Sequence, residues 1–347
     1  MGDTKRMPGR IGGVGRPERS RLVSVSAPVP TAWTPSPAGT GWAMLACPHC
    51  RDVSPLGRLG VRPGCLRGHT FDLARQGYVS LLSGRGRHGL VADDARMVTA
   101  RSEIQGAGLY APIRDGIVSA VQAAAREGLP GGGLLDIGGG TGYYAAAALA
   151  SDAAPPYGVS FDLSSYAARR AAKAHPRLVS VVADVWQRFP VLDGAASVAL
   201  VAFAPRNAPE LARVLAPGGV AVVVTPLPSH LSELSGNMIG IDPRKQERLD
   251  RQFEGFELLT EQEVVAQVAV TARQAAAIVG MGPSAHHPPE RPDESGGRGA
   301  SPSVGPGVDA IADEPGADLA GTWAEEKRDV TLAVRVATYR PRHGQLT

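Results

Sequence analysis

The sequence predicts an α/β protein: a mostly parallel sheet wrapped in helices, preceded by a small metal-binding module. Three observations predict it. Short apolar runs alternate with helical patterns from residue 134 onward, a glycine-rich turn follows the first of those runs, and all three cysteines fall within residues 47–65 with a histidine at 69. A hydrophobic share of 43% in 347 residues supplies a sizeable core, with room for two domains and tails. No apolar run approaches the roughly eighteen residues of a membrane span, so a membrane partner is not expected. The formal net charge is only +3 but unevenly placed: residues 41–100 carry eight Arg against four acids. Because only four of the 36 basic residues are lysine, the arginine count by itself also fits a GC-rich genome.

Residues 1–40 hold Gly, Pro, Arg and Ser without periodicity and are expected as a flexible leader. Residues 41–90 are expected as the metal module. Cys47-x2-Cys50 and Cys65-x3-His69 have the spacing of a structural zinc site, in which three thiolates and an imidazole close a tetrahedron. Gly60 and Pro63-Gly64 supply turn residues between the two pairs. An odd cysteine count and the lack of a signal-peptide pattern argue against disulfides. A redox Cys-x-x-Cys should open a helix, whereas a loop follows here. His49 lies inside the first knuckle and competes with His69 for the fourth position.

An Arg- and Gly-rich connector at 83–89 leads to two helical patterns, about 93–107 and 110–127, which fill an expected helical connector over 91–130. Ile113, Ile117, Val118 and Val121 of the second fall at helical spacing. Residues 131–347 form the remaining unit. LLDI, GVSFDL, LVSVVA, VALVAF and VAVVVT read as strands, and VTLAVRVATY at 330–339 alternates like a last antiparallel one. The Pro/Gly/Ser-rich stretch 288–326 between them is expected as a disordered surface insertion.

The turn after the first strand reads Asp136-Ile-Gly138-Gly-Gly140-Thr141-Gly142. A dinucleotide fingerprint started at Gly138 needs glycine at 143 and meets Tyr143; started at Gly140 it begins too late for the strand end. The D-x-G-x-G-x-G form is instead that of S-adenosylmethionine enzymes, with Asp136 facing the methionine end. Asp162 ends the second strand, placed for ribose hydroxyls, and Asp184 follows the third, placed beside an adenine amine. These residues predict a Rossmann-like S-adenosylmethionine-dependent methyltransferase domain with a seven-stranded mixed sheet. FAPRN at 203–207 follows the fourth strand, where this fold presents its acceptor, and Asn207 is the candidate to position it.

The succession CPHC…C-x3-H-TFDLARQGYVSLL, AGLY-AP, DIGGGTG, FAPRN, LAPGG and TPLPSHLSEL resembles the 23S ribosomal RNA (guanine-N1)-methyltransferases. VADVWQRFP, FAPRN and MGPSAHH look most like their actinobacterial, macrolide-resistance branch. The resemblance covers roughly 44–287 and 328–340, not the leader or the insertion. It implies methyl transfer to guanine N1 in a domain II hairpin of 23S ribosomal RNA, guanine 748 ahead of guanine 745, with a role in macrolide resistance. It also implies a cytoplasmic enzyme, and it leaves room for a homodimer. The zinc module would help grip the RNA, which suits Arg51, Arg58, Arg62, Arg67 and Arg75 facing phosphates. By the same resemblance Tyr110, Gly140, Thr141 and His230 lie on the cofactor. On the residues alone Tyr110 reads as a core aromatic, and His230 is open between a helix-start histidine and a ligand contact. The competing functions are a small-molecule methyltransferase and a non-enzymatic zinc- and RNA-binding protein.

Overall fold

The computed structural model describes residues 33–50, 54–82, 91–237, 251–282 and 327–342. Most of the expected leader, Arg51, the 83–89 connector and the expected insertion at 288–326 lie outside the described residues.

The N-terminal part is a three-stranded antiparallel sheet of β1 (Trp33–Pro35), β2 (Leu56–Leu59) and β3 (Arg62–Cys65), with a 3-10 turn at Gly41–Met44. Residues 33–35, expected in the leader, pair with β2 instead. Leu59 faces Arg62 across the hairpin, so Gly60 and Val61 form a two-residue turn. Gly60 takes φ 63°, where glycine avoids the clash that a Cβ would cause. Pro63-Gly64, expected to turn, lies within β3.

Strand β4 (Tyr78–Ser80) then leaves this module and joins the large sheet, running parallel to β7 (Leu178–Val182). The helices α1 (Ala95–Gly106) and α2 (Ala111–Arg126) follow close to the expected spans. Asp94 caps α1 by accepting from the Met97 amide at 2.9 Å. Ile113, Ile117 and Val121 of α2 are fully buried, which is the stripe their spacing predicts.

The sheet continues through β5 (Gly133–Ile137), β6 (Gly158–Asp162), β7, β8 (Ala196–Ala202), β9 (Leu215–Pro226), β10 (Phe256–Val270) and β11 (Arg328–Pro341). Helices α3 (Tyr143–Ala150), α4 (Ser165–Ala171), α5 (Ala208–Val214) and α6 (Ala272–Gly280) connect or flank these strands. The spatial order is β10-β11-β9-β8-β5-β6-β7-β4. Only β11 runs antiparallel to its neighbours β9 and β10. Seven strands thus make the expected mixed sheet, and β4 adds an eighth that covers the edge of β7.

Alternation along each strand divides the core between the two faces. Leu134, Val198, Leu200, Val220 and Val222 pack under α2, α3 and α6. Leu135, Ile137, Val159, Phe161 and Val201 face the other way, where α5 and the N-terminal module cover them. Met44, Leu45, Leu56, Cys65, Phe71 and Val79 belong to that second core, so the module packs into the sheet along one continuous apolar surface. Burying Met44 and Leu45 there contributes about 1.5–3 kcal/mol each, and the Ala46 amide donates to the Pro190 carbonyl at 2.9 Å. Among the described residues no helix is long and apolar enough to cross a membrane.

Candidate active site and metal centre

The metal centre is built by the knuckle at Cys47–Cys50 and by the end of β3 with the turn after it. The ligand atoms of Cys47, Cys50, Cys65 and His69 all lie within 4.8 Å of one another. His69 Nδ1 stands 3.5, 3.5 and 3.3 Å from the Sγ atoms of Cys47, Cys50 and Cys65, and the Cys50 and Cys65 sulfurs are 3.8 Å apart. A tetrahedron with Zn–S near 2.3 Å and Zn–N near 2.0–2.1 Å has edges of about 3.8 Å (S···S) and about 3.5 Å (S···N). The residues therefore fit zinc. His49 is excluded from the set, because its ring stacks on Phe71 at 5.6 Å and 9°. Burial pushes the Cys47 thiol up to about 12, so a cation is what would keep that sulfur as a thiolate. Arg58, Arg62, Arg67 and Arg75 are exposed around this centre, and Arg62 meets Asp72 at 3.4 Å.

The glycine loop sits at the C-terminal end of β5, where this fold binds ligands. Gly138, Gly140 and Gly142 are all left-handed, with φ of 62°, 56° and 76°. At Gly139 an added Cβ would stand 2.0 Å from Asp136 Oδ2 and 2.2 Å from Ser160 Oγ, so the loop lies directly on that carboxylate. Asp136 is buried and accepts from the Ser160 hydroxyl at 3.1 Å. Burial, helped by the Asp162 charge, raises its pKa to about 7. Asp162 accepts from the Gly140 amide and the Ser164 amide, both at 2.8 Å, and so ties β6 to the loop. Thr141 Oγ1 donates to Gln105 Oε1 of α1 at 2.6 Å. Tyr110 is buried at the start of α2, and burial raises its hydroxyl pKa. Asp184 follows β7, and its Oδ1 accepts from the Trp186 amide at 2.9 Å.

His230 lies across the loop cluster, between β9 and β11. Its Nδ1 accepts from the Ala333 amide at 3.1 Å, and burial lowers its pKa to about 4. The ring is therefore neutral with its proton on Nε2. Asn207, expected at the acceptor, is the N-cap of α5: its Oδ1 faces the Glu210 amide at 3.5 Å. Its amide nitrogen reaches the Val185 and Gln187 carbonyls, each at 3.4 Å. Those bonds shape the loop after β8 and leave the side chain turned inward.

Arg101 is a site residue that sequence reasoning missed. An added Cβ at Gly140 would meet its Nη1 at 3.3 Å, so its guanidinium stands beside the bare backbone of the loop. The group pairs with Asp93 and donates to the Met281 carbonyl at 2.6 Å, and its charge is felt at Asp162, Tyr110 and Tyr144. The sequence carries no local sign of this, since Arg101 lies in α1, separated from the loop by α2 and β5.

Left-handed glycines under an arginine, a carboxylate beneath them and two more carboxylates at successive strand ends fit a ligand carrying both charges and a ribose. With the sheet order, they define a Rossmann-like S-adenosylmethionine-dependent methyltransferase bearing a zinc ribbon. The 23S rRNA (guanine(748)-N(1))-methyltransferase of Streptomyces fradiae is 39% identical to this chain over 300 residues, 86% of this chain and 96% of its own length. The chain belongs to the 23S rRNA (guanine-N1)-methyltransferase family. A zinc-ribbon family model described as "RlmA, N-terminal" matches residues 45–88. A Micromonospora griseorubida protein, provisionally named a 23S rRNA (guanine-N(1)-)-methyltransferase, is 41% identical across 70% of this chain and 87% of its own. Among solved structures, a SAM-dependent methyltransferase from Geobacter sulfurreducens in complex with S-adenosyl-L-homocysteine aligns with a TM-score of 0.38 at 18% identity, covering 65% of this chain and 91% of that one.

Proposed function

We propose that this protein methylates N1 of a guanine in a domain II hairpin of 23S ribosomal RNA, guanine 748 ahead of guanine 745. The observation that carries this reading is the match to the Streptomyces fradiae enzyme along nearly the whole of both chains. S-adenosylmethionine supplies an electrophilic methyl group when bound. Gly138 to Gly142 offer bare backbone to it, Asp162 and Asp184 take its ribose and adenine ends, and Arg101 takes its carboxylate. Asp136 walls the loop from beneath, and Tyr110 is buried at the start of α2.

The guanine must lose its N1 proton as the methyl arrives, and electron density gathers on its O6 and N1. Neutral His230, whose Nδ1 is already engaged by the Ala333 amide, has only an Nε2–H to offer. It is thus a hydrogen-bond donor and not the base that accepts the N1 proton. Orientation supplies the rest: the sulfonium would leave as a neutral thioether, and the N1 proton passes to water without a dedicated side-chain base. Asn207 acts through the shape of the acceptor loop. Arg58, Arg62, Arg67 and Arg75, with Arg51, grip the RNA phosphates around the zinc centre, and the competent form is a cytoplasmic monomer or homodimer.

The test is primer extension on 23S ribosomal RNA from a host lacking its own enzyme, with and without this chain. A methyl on N1 blocks pairing, so a stop should fall one nucleotide before guanine 748. Transfer to a small-molecule panel, with no stop on ribosomal RNA, would replace this reading by the metabolite one. The same strain also reports whether the methyl protects against macrolides.

A further inference from the structure

Phe203 does not behave as a core residue. It directly follows β8, is 42% exposed and takes φ 58°. Among the described residues only Phe203 and Leu231 are left-handed without being glycine. Such a conformation costs a bulky residue free energy and persists only where the surroundings impose it. The two positions are not independent in space. Leu231 follows His230, and the rings of His230 and Phe203 stack with centroids 5.8 Å apart and planes at 26°. Hydrogen bonds pin both strained residues: the Phe203 amide donates to the Val224 carbonyl at 3.2 Å, and the Leu231 amide to the Thr331 carbonyl at 2.7 Å. The backbone strain in this structure is therefore gathered at one aromatic pair.

That pair adjoins the glycine loop. A Cβ at Gly138 would stand 2.7 Å from the Cβ of Ala204, the residue next to Phe203. Tyr144, just after the loop, lies 6.5 Å from the Phe203 ring. The sheet order puts β8 on one side of β5 and both β6 and β7 on the other. Asp162 and Asp184 hold the nucleoside side, so Phe203 stands on the opposite, acceptor side. Three residues further on, Arg206 Nε is buried with no hydrogen-bond partner.

We propose that Phe203, backed by the His230 ring, is the shelf on which the target guanine stacks after leaving its helix. A base extruded for chemistry loses its neighbours in the stack, and an aromatic ring that is exposed, fixed and already backed by a second ring replaces one of them. With its backbone left-handed, the ring remains 42% exposed. Stacking recognises a purine face. This inference rests on the proposed reaction, since it names the seat of that reaction's acceptor.

The experiment compares Phe203→Gly, Phe203→Leu and Phe203→Trp in the full chain. Glycine relaxes the left-handed backbone, so loss of the ring is separated from loss of the fold. Phe203→Gly and Phe203→Leu should both lower kcat/KM on the hairpin RNA by roughly 10- to 100-fold, the span expected for one stacked base. Phe203→Trp should return to within about threefold of wild type. Calorimetric affinity for S-adenosylhomocysteine should stay within about twofold throughout, because the ring is placed off the nucleoside side. A hairpin carrying 6-thioguanosine at the target position should photocrosslink to the peptide that contains Phe203.

Wild-type turnover in the leucine variant would overturn the shelf, as would a parallel loss of S-adenosylhomocysteine binding, which would put the ring on the cofactor. A wild-type chain that crosslinks at Phe203 yet methylates no ribosomal RNA would leave the shelf standing and count against the reaction. A crosslink confined to other peptides would count against the shelf alone.

Discussion

Arg101→Gln isolates one charge at the cofactor loop. The guanidinium lies beside Gly140, is held by Asp93 and the Met281 carbonyl, and is about one-fifth exposed. At that exposure an ionic hydrogen bond to the carboxylate of the ligand is weakly screened and worth about 1.5–3 kcal/mol. The corresponding loss in affinity is roughly 10- to 150-fold. Calorimetry should show that weakening for S-adenosylmethionine, while decarboxylated S-adenosylmethionine, which lacks only that carboxylate, binds both proteins within about twofold of each other. A fall in melting temperature is expected as well, because the same side chain ties α1 to the end of α6, but it should not depend on which ligand is offered. Equal weakening of both ligands would mean that Arg101 acts only by holding those helices together. No weakening of either would remove it from the site.

Cys65→Ser should bring bound zinc well below one atom per chain by elemental analysis and lower the melting temperature of the whole chain, because Cys65 is fully buried in a core shared with the sheet. Asp136→Asn should flatten the pH dependence of stability. The folded carboxyl has its pKa raised to about 7 from 3.8, so the folded state binds more protons between those values and loses stability as pH rises through them. Between pH 5 and pH 7.5 the effect is up to about 2.5 kcal/mol, read from urea midpoints. Neutralising Arg58, Arg62 and Arg67 together should weaken RNA binding severalfold and reduce the slope of log affinity against log salt by up to about 3, leaving cofactor affinity unchanged. An unaltered salt slope would take these arginines off the phosphates.

The parts legible in the sequence were those whose chemistry is local. A zinc tetrahedron needs four ligands at fixed offsets, and the chain shows all four within 47–69. A buried parallel strand needs an apolar run, and β5 to β9 each carry one. Strand β10 was not foreseen because it is an edge strand, and a sequence such as TEQEVVAQ looks helical or polar until its partner β11 is in place. The helix α6 had a local sign that went unread, the capping box between Thr271 and Gln274. Asn207 was legible as a polar residue in the right loop, but whether its amide faces the ligand or its own backbone depends on where Val185 and Gln187 arrive. The left-handed turn at Phe203 has no local sequence sign at all, since phenylalanine disfavours it and only hydrogen bonds from distant strands enforce it.

Strand β4 has a further consequence. Its hydrogen bonds to β7 splice the end of the zinc ribbon into the same sheet that carries the glycine loop. On the proposed function, the offset between the arginines that grip the RNA and the methyl donor is therefore a fixed length rather than the reach of a tether. Such a part works as a caliper: one jaw closes on the hairpin, and the other comes down at a set distance along it. Choice between neighbouring guanines then becomes a matter of gauge, set by the register of β4 on β7, in which Val79 lies opposite Val181.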